Sequence, residues 1–149
     1  KIKKKDRVTV YNKCNGHCAY CGEQILITEM HVDHVKALRR KNKYDRKTKK
    51  WERTGKVRCP QNDTIENMLP ACAPCNLWKH SMTLEKFRKS VATQAEKLYK
   101  KSPGVRLLFR FGVLEYNDDP IKFYFETMLD NKLDVLKTVT LTGEAKVNQ

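Results

Sequence analysis

No stretch of the 149 residues approaches the ~18–20 consecutive apolar positions that a membrane span requires, and only 40% of the chain is apolar. The basic start Lys1-Ile2-Lys3-Lys4-Lys5 is not followed by an apolar segment, so no secretory signal is expected. Internal repeats and low-complexity tracts are lacking as well. Acidic side chains are scarce: 17 Asp+Glu stand against 31 Lys+Arg, a formal charge of +14. These absences disfavour a membrane protein, a secreted precursor and a fully disordered chain. What is left is one small domain that buries about two-thirds of its surface and meets a polyanion or an acidic surface.

The positive charge is concentrated. Residues 1–58 hold 18 Lys+Arg against 6 Asp+Glu, and residues 36–58 alone carry 12 basic groups against Asp45 and Glu52. A run of this kind is a solvated loop as structure, yet a net +10 in 23 residues still acts on a phosphate backbone, because each neutralised phosphate releases counterions. No amphipathic helix or lipidation signal accompanies it, so nucleic acid is expected in preference to a membrane surface. Lys36, Arg39, Arg40, Lys41, Lys43, Arg46, Lys47, Lys49 and Lys50 are the candidate phosphate contacts as a group. Tyr44 and Trp51 lie within the run, where aromatics either stack on bases or anchor the loop.

Four of the six cysteines form two pairs, Cys18-Ala-Tyr-Cys21 and Cys72-Ala-Pro-Cys75. Each pair can turn both sulfurs toward one point, and two pairs supply four thiolates for a tetrahedral Zn²⁺. The 50 residues between the pairs exceed a zinc-ribbon gap, so they are inserted or functional. Redox-active dithiols are disfavoured, because no thioredoxin-like βαβ pattern surrounds the pairs. Cys14 reads as a buried thiol on a preceding helix, though its spacing to Cys18 could let it compete as a ligand. Cys59 has no partner at ligand spacing.

Asp6 is a plausible N-cap, with Val8, Tyr11 and Cys14 at helical spacing behind it. Residues 25–35 read as two extended pieces, and 36–58, without a period, as a long loop. Asn67-Met68-Leu69-Pro70 reads as a short strand, 76–81 as a short helix, and 83–102 as a longer helix capped by Thr83. Val105–Gly112 is ambiguous between helix and strand, and 121–126 alternates as a strand. The expected organisation is an α+β domain over 1–102 with an extension over 103–149 packed on it, its tail loose.

His31-Val-Asp33-His34 lies between the cysteine pairs, and Asn76-Leu-Trp-Lys79-His80 follows the second. A zinc joining the pairs would bring the helix start at Asn76 near the strand carrying Asp33 and His34. Asn76 and His80, four apart on one helix face, could then converge with Asp33 on one divalent cation, leaving His34 to take a proton from water.

Cys18-x2-Cys21, Val32-Asp33-His34, Glu66-Asn67-Met68-Leu69-Pro70 and Cys72-x2-Cys75-Asn76-x2-Lys79 together resemble the HNH endonucleases. The likeness is greatest to stand-alone bacterial and phage members with a four-cysteine zinc site, and covers about residues 8–90. Arg110-Phe-Gly112 and Phe123-Tyr-Phe-Glu126 are similar to the tail of some phage-type members. The resemblance implies a small ββα-metal (His-Me finger) nuclease fold with structural zinc on Cys18, Cys21, Cys72 and Cys75 and with flanking helices. It implies His34 as general base, Asp33 as ligand of a catalytic Mg²⁺ or Mn²⁺, and Asn67 as the middle Asn that braces the loop behind the base. Asn76 fills the last motif position, making an H-N-N variant. His80 matches the place of a further ligand in certain toxin nucleases, so Asn76, His80 or both would hold the cation. Lys79 would touch the backbone of the scissile strand. The implied activity is hydrolysis of DNA, double-stranded, one strand per active site, leaving 5′-phosphate and 3′-hydroxyl ends, by a monomer or a transient dimer on DNA. The implied setting is the cytoplasm of a bacterial or phage-infected cell. The rival is a zinc-ribbon-like nucleic-acid binding module without cleavage. His31 would support packing or touch phosphate, His17 would be exposed, and Trp78 would pack in the core.

Overall fold

A computed structural model describes residues 2–117 and 119–131. It is a small α+β protein with two short antiparallel sheets, each of two strands. The elements are α1 (Lys4–Asn12), β1 (His31–His34), β2 (Arg40–Asp45), β3 (Lys50–Val57), β4 (Met68–Ala71), α2 (Ala73–Lys79), α3 (Leu84–Ala92), α4 (Gln94–Lys101) and α5 (Pro103–Arg110). β1 pairs with β4, and β2 with β3. The chain divides into two compact units, one comprising Lys1–Asp33, Met68–Asn76 and the segment from Lys122, the other His34–Asn67 and Leu77–Ile121.

The first unit is built around the cysteine turn. α1 starts at Lys4, so Asp6 lies in its first turn and does not cap it. Val10 and Cys14 bury their side chains with Ala19, Tyr20, Ile25, Met30, Met68, Ala71 and Phe123. Arg7 donates to the carbonyls of Ile27 and Met30, and Lys13 Nζ to that of Met68 at 2.9 Å. The expected pair of extended pieces over 25–35 is therefore only half realised. Residues 26–30 close a turn on the Leu26 carbonyl, and the strand begins at His31. The first cysteine turn is closed by Gly22, at φ +77°, whose missing Cβ would lie 3.0 Å from the Tyr124 ring. The amides of Tyr124 and Phe125 donate to the carbonyls of Tyr20 and Ala19. Residues 121–126 are not a strand: 124–131 are helical, and the Glu126 carboxylate reaches back to accept from the Phe123 amide at 2.9 Å. The expected loose tail beyond residue 131 lies outside the described residues.

The second unit holds a β-ribbon and three helices. The basic segment, expected as a loop, is largely a hairpin in which Tyr44 pairs with Trp51 and Asp45 with Lys50. Asp45 organises its tip, accepting from the Lys47 amide at 2.8 Å and the Thr48 hydroxyl at 3.0 Å, and Lys49 takes a left-handed φ of +53°. A register shift between Arg40 and Asn42 is matched on β3 by Gly55 at φ +72°. The long helix expected over 83–102 is two helices. Thr93 Oγ1 bonds back to the Lys89 carbonyl at 2.9 Å, a competition with the helix ladder that bends it, and α4 restarts at Gln94. The ambiguous segment near Val105 is helical, with Ser102 accepting from the Val105 amide and Pro103 in the first turn. Phe109 packs between Tyr99 (centroids 5.4 Å apart) and Tyr116 (4.4 Å).

Candidate metal centre and polar cluster

Cys18 and Cys21 come from the turn after α1, while Cys72 and Cys75 come from the junction of β4 and α2. Their four Sγ atoms lie within 4.8 Å of one another, and Cys21 Sγ is 3.8 Å from Cys72 Sγ. Zn–S bonds of about 2.3 Å in a tetrahedron require S···S edges of about 3.8 Å, so the set is positioned to hold a metal ion and is consistent with structural zinc. None of the six cysteines forms a disulfide. A hydrogen bond from the Cys75 thiol holds the Cys18 thiol far below its usual range, at about 4. That same bond raises Cys75, and burial pushes Cys72 up to about 11. A dication bound by the four sulfurs would displace the protons they carry. Among the described residues, no other group of three or more His, Cys, Asp or Glu side chains closes in this way. Cys14 is buried in the core and Cys59 is half-buried.

The cysteine turn also supplies a polar side chain. Tyr20, between the first two cysteines, donates its phenol to Asp33 Oδ2 at 2.5 Å. Both residues are buried. Burial first, and then the Asp33 charge, push the Tyr20 hydroxyl far above its usual range, so it stays a donor. His31, two positions earlier on β1, has its Nδ1 3.4 Å from the Asn76 amide. His17 is half-buried, with Nδ1 at 2.9 Å from the Asn15 carbonyl and its ring 5.3 Å from that of Tyr124.

In the second unit His34 and Asn67 are held separately. His34 Nε2 is 2.9 Å from Asp63 Oδ1. Asn67 grips the chain just after His34: its Oδ1 accepts from the Lys36 amide at 2.9 Å, and its Nδ2 donates to the carbonyls of Lys36 (2.9 Å) and Asn62 (2.7 Å). Its own carbonyl accepts from the Val35 amide at 2.9 Å. No family model matches this chain, and neither does any curated protein or solved structure.

Three expectations are corrected by the geometry. Lys79 is fully buried and donates Nζ to the His34 carbonyl at 3.0 Å, so it offers no surface to a phosphate. His80 does not share a helix face with Asn76: α2 ends at Lys79, His80 turns to φ +47°, and its Nδ1 lies 3.0 Å from Ser81 Oγ. Trp78 is 45% exposed, not in the core, and donates its indole N–H to Ser90 Oγ at 3.0 Å. Lys36, Arg39, Arg40, Lys41, Lys43, Arg46, Lys47, Lys49 and Lys50 are all exposed. Sequence reasoning missed Tyr20 and Asp63. The position of Tyr20 inside the Cys18–Cys21 turn was the available signal for one, whereas Asp63 had none beyond its closeness to Asn67.

Proposed function

We propose that the chain is a metal-dependent DNA endonuclease of the HNH type, with a ββα-metal fold built on a structural zinc. The observation that carries the reading is the grip of Asn67 on Lys36. An amide that engages both backbone groups two residues after His34 is suited to bracing the chain behind a general base. Asp63 on Nε2 fixes the imidazole of His34 and leaves Nδ1 as the nitrogen able to accept a proton from an attacking water. Lys79 acts from inside, holding the His34 carbonyl rather than touching DNA.

Asp33 and Asn76 would hold a Mg²⁺ or Mn²⁺ ion, with His31 beside Asn76. Such an ion supplies positive charge for the phosphate and the departing oxygen. The orientation of Asn76 toward His31, and of His80 toward Ser81, favours Asn76 over His80 in this role. The zinc would be structural only, since four thiolates leave no open position for water. The exposed basic residues of 36–50 would hold the phosphate backbone.

The test is nicking of supercoiled plasmid at low salt with Mg²⁺ or Mn²⁺, wild type beside His34→Ala. Nicking by the wild type, reduced about 100-fold or more in the variant, is expected for loss of a general base. If neither protein nicks while both bind DNA, the chain is a binding module and the enzyme reading falls.

A further inference from the structure

The β2–β3 ribbon has two chemically different faces. In an antiparallel pair, residues opposite each other point to the same side. Lys43 with Glu52, and Asp45 with Lys50, occupy one face as pairs of opposite charge. Asn42 with Arg53, and Tyr44 with Trp51, occupy the other. The Tyr44 and Trp51 rings are 5.3 Å apart and tilted by 60°, and Trp51 remains 69% exposed. Cross-strand pairing therefore uses a small part of the indole and leaves the rest to solvent.

The aromatic pair lies between a single arginine and the cations of the ribbon tip. Arg53 is on its own face, and the ribbon tip, one residue pair beyond, carries Arg46, Lys47 and Lys49, all exposed. Aromatic rings flanked by phosphate-binding cations are what a single strand requires, because every base has a π-face that can stack. An intact duplex keeps those faces inside its own stack. We infer that this face of the ribbon is a stacking platform for unpaired bases, so the DNA taken by this chain is a duplex interrupted by a single-stranded stretch. The inference rests on the nucleic-acid reading proposed above and deepens it by naming the substrate class.

The test uses the full chain carrying Trp78→Phe, which leaves Trp51 as its one tryptophan. Its emission is followed on titration with oligo-dT, with a gapped duplex and with an intact duplex, at several salt concentrations. Quenching by oligo-dT and the gapped duplex, but not by the intact one, is expected. Trp51→Val keeps a strand-forming side chain and removes the π-face. It should weaken gapped-duplex binding by about 5- to 150-fold, the loss of one stacked base. The slope of log affinity against log salt should not change, because no phosphate contact is lost. Trp51→Phe should retain most of the affinity. Amide exchange at Lys43 and Glu52 in each variant reports whether the ribbon is still formed.

Equal quenching by intact and gapped DNA would overturn the inference in favour of a ribbon lying in the major groove. So would a Trp51→Val protein with a formed ribbon and unchanged affinity, which would leave the indole as a hairpin staple. In both cases the nuclease reading survives and is judged by nicking. If no DNA binds at low salt, the proposed function itself has failed.

Discussion

Single side chains show how closely the cysteine cluster and the Asp33 carboxylate are linked. Tyr20 is part of the Cys18–Cys21 turn and also the donor to Asp33, so the geometry of the thiols sets where that carboxylate is held. Its ring packs edge-on to Phe123, with centroids 5.3 Å apart. Tyr20→Phe keeps the ring and removes only the hydroxyl, leaving a buried carboxylate with one donor fewer. The expected cost is about 1–3 kcal/mol in a denaturant melt, with metal content per chain unchanged. A variant as stable as the wild type would mean that the bond contributes nothing. The order and spacing of Asp33, His34 and Asn67 are properties of the chain and were legible as such. Which donor or acceptor each one meets was not. Tyr20 lies 13 residues from Asp33, and Asp63 lies 29 from His34.

Elements were legible where a local signal set them. Thr83 caps α3 as its sequence suggests, accepting from the Lys86 amide, and a short strand does precede the second cysteine pair, although it runs Met68–Ala71 instead of stopping at Pro70. The ribbon leaves no pattern in the sequence because its strands are exposed along nearly their whole length, and alternation marks a strand only when one face is buried. Its specification is in the turn instead. Asp45 binds the Lys47 amide and the Thr48 hydroxyl, and these bonds hold the Asp45 carboxyl below its ordinary range. Asp45→Ala should therefore speed amide exchange at Lys47 and its neighbours while leaving the global melting temperature and metal content unaltered. A shift in the global melt would show that the ribbon tip supports more than itself. The strand expected at 121–126 failed for a complementary reason: its alternation was real, but the side-chain cap from Glu126 starts a helix there.

At the scale of the whole molecule, the cysteine cluster joins segments 51 residues apart between Cys21 and Cys72. No helix among the described residues is long and apolar enough to cross a membrane. With zinc bound the four cysteines are thiolates, whereas in the unfolded chain ordinary thiols hold their protons below about pH 8.5. The unfolded state then binds more protons than the native state, so stability rises with pH. It should be lost as pH falls and protons compete with the metal for the four sulfurs. About one zinc per chain is expected after purification, with its release and a drop in melting temperature on acidification or chelation at neutral pH. A metal-free protein with the same melt at pH 5 and pH 8 would refute the structural role.

Composition and spacing by themselves determined the two cysteine pairs, the excess charge of residues 36–58, and the order Asp33-His34, Asn67, Asn76. Each of these depends only on neighbours along the chain. The tertiary structure decided where the polar groups went: Lys79 inward to the His34 carbonyl, His80 outward to Ser81, Tyr20 onto Asp33, and Tyr44 against Trp51 on an exposed ribbon. Burial and partner choice depend on where elements end and what packs beside them. A lysine one helical turn past a motif can therefore face phosphate or the interior, and only the end of α2 and its packing decide which.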